Sequence, residues 1–461
     1  IAGALRMAYE LLVARRIQYR FMWLDAPVIF FFVWSLISIF NPDNTLVVGL
    51  IGFKSTSLYI LLYALLRLSA EPLSAMLGRL YPVIVVGALI GAVYGLIQSQ
   101  LGFQGFEVRW IFSEETQIAG ENGTLGYIIA QEGIIRPFST FASHEQLAWY
   151  LGLVSMFLVP YAQASQSLKS SLLWVVVGMY YVTIVRTLSR SAWVGLGAGA
   201  GILFLLGLRY QRRAAFSAVL IVVLFGVSYL LWNVINASPS SLIVRPQTTQ
   251  AELEAMLSGA ATPVPETPIE ALTDTEAFSR RASLTGTYEW RIYTFQALLY
   301  DPAWHTPFGH GIGSMWYAWR LGVPGAGVAG PMNGIDGPYE MRPGRRVLSH
   351  IGLVDIIYEL GIFGFGLFVW MLGALVWFGI RHLLRYPQSP YKVWLLVALA
   401  AVLGVVFGNS VAATVLIFRP IGAMFWLFVG IIGAAVAIER NGVMALSETE
   451  QDASLTVKQI R

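Results

Sequence analysis

Residues 190–233 read RSAWVGLGAGAGILFLLGLRYQRRAAFSAVLIVVLFGVSYLLWN. Two apolar runs, 191–208 and 214–233, flank a short turn that carries Arg209, Arg212 and Arg213. Each run is close to the roughly 20 apolar residues a helix needs to cross about 30 Å of hydrocarbon. Basic residues in a short connection mark it as cytoplasmic. The stretch therefore reads as a hairpin of two membrane-crossing helices turning on the inner side.

The same reading extends in both directions. By length and hydropathy, ten spans are predicted near 21–40, 46–66, 81–98, 146–163, 171–186, 191–208, 214–233, 351–380, 392–412 and 421–438. The run at 351–380 is too long for one straight span, and Gly361, Gly364 and Gly366 mark where it is expected to bend or end. Under strict alternation Arg15, Arg16, Arg20, Arg67, Arg79, Lys169, Arg381, Arg385 and Lys392 all fall on the side of Arg209. The expected organisation is an N-terminal transmembrane bundle over 1–233, with an outer loop at 99–145. A large extracytoplasmic loop domain follows over 234–349, then C-terminal transmembrane helices over 350–438 and a cytoplasmic tail over 439–461. Ile1 in place of Met implies residues, and room for further spans, before it.

Composition agrees. Of 461 residues 56% are hydrophobic and 12% charged, about half the usual charge of a soluble domain. That excludes a soluble globular enzyme, a disordered chain and a nucleic-acid binder. Thirty basic against 26 acidic residues give a net charge of +4, too balanced to indicate a partner. With no Cys, disulfides, iron–sulfur clusters, thiolate zinc sites and a thiol nucleophile are ruled out. The 234–349 loop opens with a polar stretch at 238–275 and turns aromatic and amphipathic from Tyr288 to Tyr300. No internal repeat is evident, which weighs against an inverted-repeat transporter. The sequons at Asn122 and Asn236 are too short a pattern to carry function.

The anomaly is basic charge on the expected outer side: Arg136, Arg186, Arg190, Arg291 and Arg419. Long outer loops escape the charge rule, but Arg186 and Arg190 lie in the short turn RTLSRSAW (186–193) and Arg419 in the short turn FRPIG. On one helix, residues four apart would point the same way. Each Arg taken singly is as well explained by a stem buried at the interface and a head among lipid phosphates. Several together suit a diphosphate, because guanidinium pairs bidentately with phosphate. Lys54 lies about 12 Å into its span by helical rise, where it needs a water-filled cavity, an anionic substrate or a partner such as Asp355 or Glu359. Asp355 and Glu359, four apart, share one helical face in the membrane. His350 begins that span, and its near-neutral titration suits a general base, although a lone interfacial His is more often simply a satisfied polar group. His144, His305 and His310 are also outward; no HExxH or DxD pattern accompanies them, so a metal-free site is expected. The glycines of FGHGIG (308–313) follow no strand and lack GK[ST], which excludes a nucleotide loop.

Four segments carry a resemblance: RPFSTFASHEQLAWYL (136–151), TLSRSAWVGL (187–196), WRIYTFQALLYDPAWHTPFGHGIG (290–313), and His350 followed at a fixed interval by Gly361 and Gly364. In order and spacing they resemble the bacterial O-antigen ligases and the related O-antigen polymerases. The chain departs from that pattern at Ile351, where the family carries a small polar residue, and at Ser143-His144-Glu145, where it often carries Asn. The resemblance implies an all-α polytopic integral membrane protein of about ten to twelve transmembrane helices with a large outward-facing loop domain, similar to the multi-span (GT-C-like) glycosyltransferases. It implies a glycosyltransferase of the bacterial inner membrane, acting on its periplasmic face without metal or cofactor. The donor would be a glycan on a polyprenyl (undecaprenyl) diphosphate, and the acceptor a hydroxyl of lipid A-core or another glycan. It assigns the diphosphate to Arg190 and Arg291 and acceptor activation to His350, with Arg186 and Lys54 as helpers. Arg136, Arg419, Asp355 and Glu359 complete the expected substrate-binding set. Ligation onto lipid A-core, polymerisation of carrier-linked repeats, and transport of polyprenyl-linked sugars are the three functions to be separated.

Overall fold

The structure, a computed structural model, describes residues 21–68, 73–101, 106–107, 136–164, 168–237, 306–315, 328–329, 346–347, 351–411, 416 and 419–437. His350, Arg291, most of the 99–145 and 234–349 loops and the 439–461 tail lie outside the described residues.

The described chain is a bundle of helices: α1 (Asp25–Ile37), α2 (Leu46–Thr56), α3 (Ile60–Leu68), α4 (Leu73–Leu101), α5 (His144–Ala164), α6 (Leu168–Arg186), α7 (Arg190–Tyr210), α8 (Arg212–Ala237), α9 (Gly352–Arg385), α10 (Lys392–Val411) and α11 (Arg419–Ala437). A two-residue antiparallel ladder pairs β1 (Val328–Ala329) with β2 (Arg346–Val347). Six helices (α4, α7, α8, α9, α10 and α11) are long and apolar enough to cross a membrane, seven spans if the bent pair α2–α3 counts as one. All ten predicted intervals hold a helix, but α1 and α6 are shorter apolar helices and α5, although 21 residues long, is not among those apolar enough to cross. The polytopic helical class thus holds, with six or seven candidate spans among the described residues.

Large apolar side chains occur on both sides of these helices. Trp23, Val83, Leu205 and Trp377 face outward while Phe368, Phe425, Phe428 and Leu396 are enclosed. A helix hydrophobic all round needs either a protein core or lipid on every side; here α11 and α10 are the enclosed ones and the rest keep a lipid-type face. Between helices already in hydrocarbon there is no hydrophobic drive to associate, so close approach of small residues takes over. Gly195 and Gly199 of α7 meet Gly404 and Gly408 of α10 backbone to backbone, and Trp149 of α5 fills the space above Gly195 and Gly408.

At the end expected to face the cytoplasm, Arg67 is not a free topogenic charge. Its Nε and Nη2 donate to Asp25 Oδ1 (3.1 Å) and Oδ2 (3.2 Å), Tyr63 Oη donates to Oδ1, and the Met22 N–H donates to Oδ2 at 2.7 Å. Both side chains are buried, at 1% and 6% exposure. Removing one member of such a pair strands the other charge, which costs about 3–5 kcal/mol, whereas removing both costs far less. Arg67→Ala is therefore expected to lower the midpoint of thermal unfolding in detergent sharply. The double substitution Asp25→Asn/Arg67→Met is expected to be less destabilised than the sum of its singles; additive losses would contradict the pairing.

Candidate functional site

The decisive local feature is a break in α9. Gly361 has φ 74 and ψ 177 inside the helix, as expected for a run too long for one straight span. A break releases helical N–H and carbonyl groups that cannot be left unpaired in an apolar bundle. The segment TPFGHGIGSM (306–315) takes them up. Ile362 N–H donates to Thr306 O (3.2 Å), Phe363 N–H to Pro307 O (3.1 Å), His310 N–H to Tyr358 O (2.9 Å) and Gly311 N–H to Glu359 O (3.0 Å). Gly309 and Gly361 both have positive φ and approach each other so closely that a Cβ on either would strike backbone. The glycines of 308–313 therefore serve helix docking, consistent with the exclusion of a nucleotide loop.

The other side of this segment is held by the turn between α1 and α2. Asn41 and Asn44 donate from Nδ2 to Gly309 O (2.9 Å) and Ile312 O (3.0 Å), and Ser38 Oγ accepts from the Ile312 N–H (3.0 Å). His310 Nδ1 meets Asp43 Oδ2 at 3.2 Å and its ring lies on Tyr358. Glu359 contributes its side chain as well: Oε1 accepts the Met315 N–H at 3.2 Å, with Gly313 as a second backbone donor. Expected as a substrate-side carboxylate, Glu359 thus has its side chain occupied by the loop.

Above the break lies a cavity of about 60 Å³ whose walls include Asp355, Glu359, Asn409, Thr56, Ser57 and Trp426. That volume admits a few waters and is much smaller than a lipid-linked sugar. Thr56 and Ser57 end α2 at the 47° bend into α3, so two interrupted helices face one cavity. Lys54, one turn earlier, is exposed, lines no part of it and pairs with neither Asp355 nor Glu359. Of the alternatives open to Lys54, pairing with Asp355 or Glu359 is therefore not the one formed: the residue stands on the exposed face of α2's last turn.

Arg136, Arg186 and Arg190 stand near the end of α4, the end of α6 and the start of α7. Gln98 Oε1, in the last turn of α4, accepts the N–H groups of Phe138 (3.1 Å) and Ser139 (2.6 Å), and so seats the segment that begins with buried Arg136. One residue on, Ser99 O accepts Arg186 Nη2 at 2.7 Å. Arg186 closes α6 and Arg190 opens α7, across a turn in which Leu188 has φ 52. The two therefore stand on different helices and do not share a helical face. Trp149 Nε1 donates to Ser191 Oγ (3.3 Å), itself beside Ser189 Oγ (3.2 Å), which fixes both neighbours of half-buried Arg190. Arg419 is exposed at the start of α11. Among the described residues no group of three His, Asp or Glu converges as a metal site.

Two residues that the sequence reading passed over join these halves. Trp149 bridges α5, α7 and α10, and Asn409, next to Gly408, sits against Gly352 at the start of α9. Asn409 and Ser410 are the only polar side chains after Lys392 in KVWLLVALAAVLGVVFGNSV, a signal that could have been read. A comparison with protein-family models and with characterised proteins finds no match to this chain.

The docking explains a contrast between two glycines of one helix. Gly361→Ala is expected to lower folded yield and unfolding temperature, because the new Cβ collides with Gly309 and Pro307 backbone. Gly366→Ala, with open space around it, is expected to be neutral or stabilising by up to about 1 kcal/mol. Equal effects in a thermal-shift assay would contradict the docking.

Proposed function

We propose that the protein is a membrane glycosyltransferase that moves a glycan from a polyprenyl diphosphate to an acceptor hydroxyl at the outer face of the bacterial inner membrane, most simply as an O-antigen ligase acting on lipid A-core. The observation that carries this reading is convergence. The turns bearing Arg136, Arg186 and Arg190 lie at the same end of the bundle as the helix start that follows His350, linked through Trp149 and Asn409. The proposal includes ten to twelve spans, the basic turns inside, and the 234–349 domain on the periplasmic side.

The chemistry asks little beyond positioning and charge. The acceptor oxygen attacks the anomeric carbon while its proton passes to His350. The bond from that carbon to the diphosphate oxygen breaks, and the polyprenyl diphosphate leaves with its charge held by Arg190 and Arg291. Holding the reactants in line and stabilising the departing anion are the two largest contributions such a site can make. Lys54, Arg136, Arg186 and Arg419 supply further positive potential around the clamp, and the mechanism uses no metal ion.

One observation favours a second reading. Interrupted helices meeting at a binding site are the usual architecture of transporters, and α2–α3 and α9 are interrupted beside one small cavity. Reconstitution with a polyprenyl-diphosphate oligosaccharide in EDTA separates the alternatives. A single addition to a lipid-A-type acceptor, lost in His350→Ala, Arg190→Ala and Arg291→Ala while the proteins stay folded, is the expected result. A ladder of products formed without that acceptor identifies a polymerase. Donor binding with no new glycosidic bond under any condition contradicts the proposal and favours transport.

A further inference from the structure

Asn409 is fully enclosed, at 0% exposure, near the end of a helix whose other buried residues are apolar. Burying an amide costs about 1–3 kcal/mol on mutational scales unless it is hydrogen-bonded, so its partners indicate its purpose. Oδ1 accepts the Leu416 N–H at 3.2 Å, three residues before Arg419. Cγ, Oδ1 and Nδ2 all lie where a Cβ of residue 352 would be, so the amide is seated in the space that only glycine leaves at the start of α9. The same amide forms part of the wall of the cavity that holds Asp355 and Glu359. Gly352 follows His350 by two residues, and Ile351 caps α9 with its backbone extended and without a side-chain bond.

The first stretch of α9, residues 352–360, is therefore set from two ends: the docked 306–315 segment at the Gly361 break, and the Asn409 amide at Gly352. We infer that Asn409 is a positioning residue that sets the pose of the first turn of α9 against Leu416, and through it acts on His350, two residues before Gly352 in the sequence. This inference rests on the glycan-transfer reading. It predicts that the amide governs turnover and leaves donor affinity alone, because no donor contact is assigned to it.

Steady-state kinetics of the full-length protein in proteoliposomes test it, with Ser410→Ala as a neighbouring control. Asn409→Ala and Gly352→Ala are each expected to lower kcat by about 10- to 10²-fold with the donor KM within about twofold. The double substitution is expected to resemble Asn409→Ala alone, since the vacated amide leaves room for the new Cβ. A second readout needs no activity: the rate of His350 carbethoxylation, followed by peptide mass spectrometry, is expected to change in both single variants and not in Ser410→Ala. Unchanged kcat and His350 reactivity in Asn409→Ala overturns the inference. So does a loss that tracks the folded fraction, a rise confined to KM, or additive costs in the double variant. If the wild type forms no glycosidic product, the functional reading fails, and the carbethoxylation rates alone still decide whether Asn409 positions His350.

Discussion

The exchange of backbone hydrogen bonds between residues 306–315 and the break at Gly361 is the interaction on which the start of α9 and its surroundings depend. Neither partner is tenable alone in an apolar bundle. The broken helix would strand the N–H groups of Ile362 and Phe363 and the carbonyls of Tyr358 and Glu359, while the loop would bury its own unpaired backbone. Together they satisfy each other, and Asn41, Asn44, Ser38 and the Trp34 indole, which donates to Leu360 O at 2.9 Å, close most of what remains. The positive-φ glycines at 309, 311, 313 and 361 let the two backbones come this close.

A rigid short helix over 352–360 results, and its surroundings acquire a division of labour. Its lower end belongs to the docked loop, with the Glu359 carboxylate drawn into that contact. Its upper end belongs to Asn409, and between them Asp355 lines a small cavity whose walls are mostly apolar. Across Trp149, the ends of α4 and α6 and the start of α7 present the arginines. The start of α9 and the cationic turns thus sit on separate walls of one end of the bundle, and under the proposed function that separation would hold a charged lipid headgroup apart from the group that activates its acceptor.

Much of this was legible in the sequence where the physics is one-dimensional. Apolar run length and the basic turns locate helices in all ten intervals, and Gly361 sits where a run too long for one span has to give way. What depends on the path of the backbone was not legible. Rise per residue gives the distance of Lys54 along α2 but not the side it faces, and its side chain points away from the bundle rather than into the cavity. Four-residue spacing aligns Arg186 with Arg190 only if one helix carries both, and the turn at Leu188 intervenes. The role of FGHGIG could be stated only negatively, because its partners lie on α9 and in the 38–44 turn, far away in the chain. Trp149 and Asn409 act through contacts with glycines on other helices, which no local pattern announces; the Gly195–Gly199 and Gly404–Gly408 spacings were the available hint.

The central claim is that a polyprenyl diphosphate is held at this end of the bundle, between the arginine-bearing turns and the start of α9. The most direct measurement is an electron cryomicroscopy map of the protein in lipid nanodiscs with a short-chain polyprenyl diphosphate. The account predicts diphosphate density beside Arg190, within reach of the first turn of α9, and its loss in Arg190→Ala with the bundle unchanged. Headgroup density at the opposite end, near the Asp25–Arg67 pair, or an empty arginine cluster at saturating ligand would contradict it.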